Sequence, residues 1–172
     1  TAKQHFKRRK AFIDRRNHMN LFDIVGPVMV GPSSSHTAGA VRIGQVSRHL
    51  LGESVKEAKI LLHGSFLATG KGHGTDKALV AGLLGMAADD IRIPDSFDIA
   101  KESGVKFEIG KIQLKNAHPN SVKLLLVGES GRNLEIVACS LGGGRIKICT
   151  IDGLEANFSG EYTTSVSYTH LR

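Results

Sequence analysis

The last third of the chain constrains the fold most, because it contains three strand-like segments in succession. Residues 122–127, 134–141 and 145–151 are rich in apolar and β-branched side chains. Residues 128–131 and 142–144 separate them and supply the glycines that tight hairpin connections need. This pattern predicts neighbouring strands joined by hairpins.

The part of the chain that precedes these strands has a helical pattern. Apolar side chains between residues 40 and 51 recur at intervals of three and four, and residues 78–88 show the same spacing. Residues 58–63 and 105–112 indicate strands, and residues 21–30 a short strand or extended entry. Because the helical patterns come early in the sequence and the hairpin strands come late, we predict an α+β fold of two layers, in which helices cover one face of a mixed β-sheet.

The composition is that of a globular protein with 41% hydrophobic residues, and no apolar run approaches the roughly 20 residues that span a bilayer. The net charge of +7 invites a nucleic-acid hypothesis. However, residues 1–18 hold seven basic side chains and one acidic one, so almost all of the excess charge lies there. We therefore expect neither a nucleic-acid partner nor a membrane partner.

Both ends of the chain look foreign to the predicted domain. Two arginines stand shortly before Met19, and a pair of arginine codons can form a ribosome-binding sequence ahead of a start codon. Residues 1–18 are therefore interpreted as a non-native leader. The stretch SVSYTHLR resembles a translated sequencing adapter, so residues 161–172 are interpreted as a non-native tail. The predicted domain is residues 20–160.

Both cysteines, Cys139 and Cys149, lie in apolar, β-branched surroundings. Buried free thiols are favoured over a disulfide, because cysteine is among the most often buried residue types. Free thiols fit the reducing cytoplasm, which is the predicted location.

The segment GPSSSHT, residues 31–37, runs directly into the first predicted helix. Backbone N–H groups at a helix start are unpaired and bind carboxylate or phosphate well. One serine would suffice to cap the helix. The surplus of hydroxyls beside an imidazole favours a functional site that includes Ser33, Ser34, Ser35, His36 and Thr37.

The segment GKGHGTD, residues 70–76, is predicted as a glycine-rich loop that leads into another helix. Glycines on both sides of His73 leave its imidazole accessible and let the backbone approach a ligand. Two histidine-bearing helix N-termini, at His36 and His73, are expected to converge on one anion. Histidine is also the side chain best suited to moving a proton near neutral pH. A plain turn is the alternative.

A third polar segment is His118-Pro119-Asn120. A turn between strands explains Pro119, whereas Asn120 offers a donor and an acceptor that suit an ammonium or a carboxylate. A zinc site built from His36, His73 and His118 is not favoured, because zinc ligands usually come in pairs at short spacing.

Four runs together resemble a known family: FDIVGPVMVGPSSSHTAGA (residues 22–40), HGSFLATGKGHGTDKALVAGLL (63–84), HPN (118–120) and SLGGGRIKI (140–148). In this order they are similar to the β subunit of bacterial iron–sulfur-dependent L-serine dehydratase, over almost all of residues 20–160. PSSSHT together with GKGHGTD is the specific part of the resemblance, and either alone would be suggestive only.

The resemblance implies the deamination of L-serine to pyruvate and ammonia. In that family a [4Fe-4S] cluster, held by cysteines of the α subunit, acts as a Lewis acid on the serine hydroxyl while a base removes the α-proton. By the same resemblance, His73 is expected to transfer the proton, with His36 second. The residues expected to bind the substrate are Ser33, Ser34, Ser35, Thr37 and Asn120.

A cluster needs three or four thiolates and this chain has two cysteines, so an L-serine dehydratase α subunit is the predicted partner and holds the cluster. Homodimerisation is left open. The family's β subunit usually continues into an ACT regulatory domain, which we do not find in this sequence. The competing hypothesis is a non-catalytic allosteric module that binds an anion or a substrate, as in some phosphoglycerate dehydrogenases. Such a site would favour lysine, arginine and backbone donors over a histidine pair.

Overall fold

The computed structural model describes residues 28–160. The interpretations of residues 1–18 and 161–172 therefore lie outside the described residues, and so does most of the extended entry predicted at residues 21–30. The part of that entry which is described, residues 28–30, forms no strand.

Within residues 28–160 a π-helix (Ser34–Ala38) opens the structure, and four α-helices and six strands follow. The helices are α1 (Gly39–Leu51), α2 (Gly64–His73), α3 (Thr75–Leu83) and α4 (Ser96–Glu102), the last preceded by a 3-10 turn at Ile93–Asp95. The strands are β1 (Val55–Leu62), β2 (Lys106–Lys111), β3 (Ser121–Gly128), β4 (Asn133–Gly142), β5 (Arg145–Ile151) and β6 (Leu154–Phe158). None of the helices in this range is long and apolar enough to cross a membrane.

The strands form one mixed sheet in the order β2-β1-β3-β4-β5-β6. Strands β1 and β2 run parallel, and every other neighbouring pair is antiparallel. A parallel pair needs a long crossover connection, which α2, α3 and α4 supply. The predicted hairpins from β3 to β5 are confirmed, and with them the α+β fold.

One face of the sheet packs against the helices. Alternate strand residues such as Ile60, Leu124 and Ile136 are fully buried, in one core with apolar residues of α1 and α3. The opposite face carries partly exposed charged pairs, including Lys123 Nζ and Glu135 Oε1 at 2.7 Å. This alternation is what a sheet with a single covered face requires.

Helices α1 and α3 cross where both carry a glycine. A Cβ at Gly82 would overlap the carbonyl oxygen of Val41, and a Cβ at Gly44 would lie 2.6 Å from the carbonyl oxygen of Leu79. Since real Cβ atoms do not approach backbone oxygens so closely, glycine at both positions lets the two backbones touch. The crossing holds α1, and the π-helix at its start, in place on the sheet.

The prediction of a glycine-rich loop at residues 70–76 is wrong. The chain up to His73 belongs to α2, which ends at Gly74 with a left-handed φ of 67°. Phe66 is fully buried, and its packing in the core outweighs the low helix propensity of the glycines. The expectation of a second histidine at a helix N-terminus is therefore also wrong, because His73 is the last residue of α2.

Two elements had no counterpart in the predictions. Helix α4 has only seven residues, and β6 is a short edge strand whose Leu154 is 62% exposed, so neither has a long periodic apolar pattern. Both cysteines are free, as predicted. Cys139 is buried, but Cys149 is only partly buried, so the prediction of burial was wrong for Cys149.

Candidate functional site

The serine-rich segment forms a capped helix start, as predicted. Ser33 has an extended backbone (φ −141°, ψ 123°), and its Oγ accepts a hydrogen bond from the His36 backbone N–H at 3.3 Å. The π-helix that follows is a wide turn of a kind often found at functional sites. It carries His36 inward, so that this residue is only 7% exposed.

Helix α2 brings the second histidine to the first. Ser65, Thr69 and His73 are spaced four residues apart, so they share one face of α2. The ring centroid of the exposed His73 lies 5.0 Å from that of His36, with the rings edge to face at 74°. Phe66 of the same helix also packs against the His36 ring, at a centroid distance of 5.3 Å. The fold thus brings the rings of His36 and His73 close together.

Four hydroxyl groups surround the His36 ring, two at each nitrogen. Nδ1 lies 3.0 Å from Ser35 Oγ and 3.3 Å from Ser33 Oγ. Nε2 lies 2.9 Å from Thr69 Oγ1 and 3.3 Å from Ser65 Oγ. The ring is therefore held by side chains from both the π-helix segment and α2.

A hydrogen bond within α2 selects the tautomer of His36. The Thr69 hydroxyl donates to the Ser65 carbonyl oxygen at 2.9 Å, so its single proton is used and its oxygen accepts from His36. Nε2 then carries the ring proton, and Nδ1 accepts from the Ser35 hydroxyl. Both nitrogens of His36 are occupied, whereas within residues 28–160 no hydrogen bond occupies either nitrogen of His73.

The His36 ring favours the neutral form. Burial lowers its pKa below the usual 6.5, the backbone hydrogen bond with Ser65 opposes this, and the charge of His73 lowers the pKa further. A neutral ring with a fixed tautomer suits a positioning group better than a proton carrier.

This pKa predicts how stability depends on pH. Because the folded pKa of His36 lies below the unfolded one, its contribution to the free energy of unfolding is complete above about pH 6.5 and is lost as the pH falls through the folded pKa. Urea unfolding at several pH values should therefore show stability falling on acidification, and His36→Gln should flatten this slope. The exposed His49 is the matched control, and equal slopes for His36→Gln and His49→Gln would contradict the prediction.

The His118-Pro119-Asn120 segment lies against the first turn of α2. The Pro119 carbonyl oxygen accepts from the Ser65 backbone N–H at 2.8 Å. Gly64 makes this approach feasible, because its φ is 57° and a Cβ there would lie 2.5 Å from the Pro119 carbonyl oxygen. The Asn120 carbonyl oxygen accepts from the Ser140 N–H at 3.0 Å. Asn120 therefore directly follows Pro119, whose carbonyl oxygen accepts the hydrogen bond from Ser65.

The turn between β4 and β5 borders the same region. The Gly143 N–H donates to Ser34 Oγ at 3.2 Å. Ser140 lies against Gly39 at the start of α1, where a Cβ would overlap the Ser140 hydroxyl. The glycine turn therefore touches the serine-rich segment, although the two are more than 100 residues apart in sequence.

Comparison with known proteins identifies the family. A family model described as serine dehydratase beta chain matches residues 19–149. The chain belongs to the serine dehydratase β-chain family. The "L-serine dehydratase, beta chain" of Peptoniphilus asaccharolyticus is 46% identical over 83% of this chain and 65% of the relative. The "Probable L-serine dehydratase, beta chain" of Bacillus subtilis (strain 168) is 43% identical over 84% of this chain and 66% of the relative.

A longer protein, "L-serine dehydratase 1" of Escherichia coli (strain K12), is 30% identical over 74% of this chain and 33% of its own length. The chain spans slightly less than two thirds of the two β chains that it matches.

Sequence reasoning missed two site residues of this serine dehydratase β-chain protein, Ser65 and Thr69. The signal was present, because both are related to His73 by steps of four residues. This spacing is informative only if the segment is a helix, and the sequence pattern predicts a loop for part of the region that ends at His73. Tertiary structure was needed to show that this face meets His36.

Thr37 does not join the hydroxyls around His36. It is 2% exposed and lies against Gly31, and its hydroxyl has no hydrogen-bond partner in the part of the chain that the structure describes. Its role in binding a substrate stays a prediction, as does that of Asn120.

The site does not fit a metal cluster held by this chain. Among residues 28–160, no three side chains of histidine, cysteine, aspartate or glutamate converge closely enough to bind a metal ion. The groups around His36 are hydroxyls and imidazoles, whereas iron–sulfur clusters take mainly thiolates. The groups around His36 are therefore not the ligand set of such a cluster.

Proposed function

We propose that this chain is the β-subunit domain of an L-serine dehydratase, which converts L-serine to pyruvate and ammonia. The observation that carries the proposal is the pairing of His36 and His73, with ring centroids 5.0 Å apart, in a chain whose relatives are named L-serine dehydratase. One ring is buried and hydrogen-bonded at both nitrogens, and the other is exposed and forms no hydrogen bond with the described residues. A general base must have an atom within hydrogen-bond reach of the proton that it removes, and the exposed ring can offer one.

His73 is the proposed base. Its position at the end of α2 leaves the ring open to a ligand approaching from outside the domain, and one of its nitrogens takes the α-proton of L-serine. Loss of that proton, and of the β-hydroxyl as hydroxide, gives aminoacrylate, and one water molecule then hydrolyses aminoacrylate to pyruvate and ammonia. The protonated ring returns the proton to water before the next cycle.

His36 is the proposed positioning residue. Its Nδ1 accepts from Ser35, so the lone pairs of the Ser35 hydroxyl are left to accept from the substrate ammonium. The other polar groups proposed to bind the substrate are Ser33, Ser34, Thr37 and Asn120. Among them, Ser33 contacts both Ser35 and the His36 ring, which supports a position next to the bound substrate.

The proposed partner is an L-serine dehydratase α subunit that supplies the [4Fe-4S] cluster. Among residues 28–160 no three His, Cys, Asp or Glu side chains lie together as a metal site would require, and His73 is exposed on the surface, where a partner can complete the site. The free thiols support a reducing location, the cytoplasm.

The non-catalytic alternative is not favoured. An anion-binding module would surround its ligand with cationic side chains and backbone donors, whereas the described groups nearest to His36 are hydroxyls and a second imidazole. The relatives named as dehydratases point the same way.

The proposal is tested by anaerobic co-expression with a cognate α chain, followed by measurement of pyruvate formed from L-serine. We expect turnover from the co-purified complex and none from either chain alone. A complex that contains an intact cluster but forms no pyruvate from L-serine would contradict the proposal.

The role of Thr69 gives a separate prediction. Thr69→Val keeps the shape of the side chain but removes the oxygen that accepts from His36 Nε2, so turnover should fall about tenfold, which is the effect of losing roughly 1.5 kcal/mol of hydrogen bonding. Nitrogen-15 NMR of His36 should show a mixture of tautomers in this variant and a single one in the wild type. Thr69→Ser should restore both. Unchanged tautomer and turnover in Thr69→Val would show that Thr69 does not position the ring.

A further inference from the structure

The face of the sheet away from the helices carries a cavity of about 490 Å³. Side chains of β4 and β5 form its floor, and the segment of residues 114–118 forms one wall. Cys139 and Cys149 both line it, together with the ammonium-bearing Lys147. The site described above does not use this cavity.

The two cysteines lie side by side on neighbouring strands. Cys139 pairs with Lys147 across β4 and β5, and a register shift between Val137 and Ala138 leaves Cys149 between the partners of those two residues. The two Sγ atoms are 4.0 Å apart. A disulfide needs about 2.05 Å between the sulfurs, so the two side chains must rotate to bring their Sγ atoms together, and about 3.8 Å between the Cβ atoms, a distance that the backbone sets.

The two thiols are chemically different. The hydrogen bond between Cys149 and Cys139 lowers the pKa of Cys149 to about 7, burial opposes this shift, and Lys147 lowers the pKa further. The interaction with Cys149, reinforced by burial, raises the pKa of Cys139. At neutral pH Cys149 is therefore the nucleophile, and the buried Cys139 is the thiol that reacts second.

We propose that Cys139 and Cys149 form a reversible dithiol site that reacts with small disulfides of the glutathione type. In the first step the Cys149 sulfur attacks one sulfur of the disulfide, forms a mixed disulfide and releases one glutathione thiolate. In the second step Cys139 loses its proton, attacks Cys149 and releases the second thiolate. Two electrons pass from the cysteine pair to the small disulfide, which leaves as two thiols.

The bond would tie β4 to β5 close to the functional site. In the turn that joins these strands, the Gly143 N–H donates to Ser34 Oγ. Ser140, the neighbour of Cys139 in sequence, lies against Gly39. Oxidation should therefore restrict a hairpin that borders the serine-rich segment. The proposal does not depend on serine chemistry.

The test incubates the full chain without air in buffers of reduced and oxidised glutathione, then quenches with acid and measures intact mass and peptide maps. We expect the wild type to lose two hydrogen atoms, to yield a peptide pair joined through Cys139 and Cys149, and to be restored by dithiothreitol. Cys139→Ala should stop at the mixed disulfide, heavier by one glutathionyl group. Cys149→Ala should react far more slowly than the wild type.

Three outcomes would overturn the proposal. The first is wild-type chain that carries glutathionyl groups on both cysteines without an internal bond. The second is wild-type chain that reacts only after denaturation in urea. The third is equal rates for the two single variants. Because the first two are measured on the wild type, the proposal remains testable if a variant fails to fold.

Discussion

Replacing His73 with alanine should lower serine turnover by the complex with the α chain about 10²–10⁴-fold, because a positioned general base contributes that much. The ring is exposed and forms no hydrogen bond with the residues described, so the variant should fold and melt like the wild type. The expected effect is thus a loss of kcat at unchanged stability. Steady-state kinetics under anaerobic conditions, with cluster content measured in each sample, provide the measurement.

His49→Ala is the matched control for this experiment. His49 is also an exposed histidine, but it lies on α1, and its Nδ1 contacts the Gln45 carbonyl oxygen one turn earlier in the same helix. The control should retain full turnover. A loss of only a few-fold in His73→Ala would exclude the general-base role and would revive the non-catalytic hypothesis, in which neither histidine needs to move a proton.

Replacing Gly82 with alanine should lower the free energy of unfolding by on the order of 3 kcal/mol, at the upper end of what overpacking usually costs. The new Cβ would overlap the Val41 carbonyl oxygen, which is rigid helix backbone that has no rotamer by which to withdraw. Helices α1 and α3 must then separate, and the core between them loosens. Urea unfolding of the full chain measures the effect as a lower midpoint.

Gly72→Ala is the control for helix propensity. Gly72 also lies inside a helix, but a Cβ there would meet no atom within 4 Å from the rest of the described residues beyond its own helix backbone. Alanine should therefore stabilise the chain slightly, by roughly 0.5–1 kcal/mol, because glycine loses more backbone entropy on folding. If Gly82→Ala were as stable as the wild type, the close crossing of α1 and α3 would be disproved.

The C-terminal strands were predictable because their signals are local. Apolar alternation and glycine turns within residues 122–151 specify hairpins, and antiparallel neighbours in sequence become neighbours in the sheet. The cap at Ser33 was predictable for the same reason, since it acts on a backbone N–H only three residues away. Such features depend on no distant part of the chain.

The prediction of a loop at residues 70–76 failed because the structure of this segment depends on distant parts of the chain. Several glycines indicate a loop when only propensity is considered, yet α2 persists to His73 because Phe66 is buried in a core built by other elements. Once the segment is known to be helical, the four-residue spacing of Ser65, Thr69 and His73 places them on one face. Periodicity could not reveal this face before the helix itself was established.

By itself, the sequence determined the α+β class, the hairpin strands, the capped serine-rich helix start and the presence of two imidazoles suited to proton transfer near neutral pH. Only the tertiary structure decided that His36 is held through both nitrogens while His73 stays open. The Nδ1 contacts of His36 are local, with Ser33 and Ser35, but its Nε2 contacts join it to residues about 30 positions away, such as Thr69. Packing of α1, α2 and the sheet sets these distances, and no local pattern of residues encodes them.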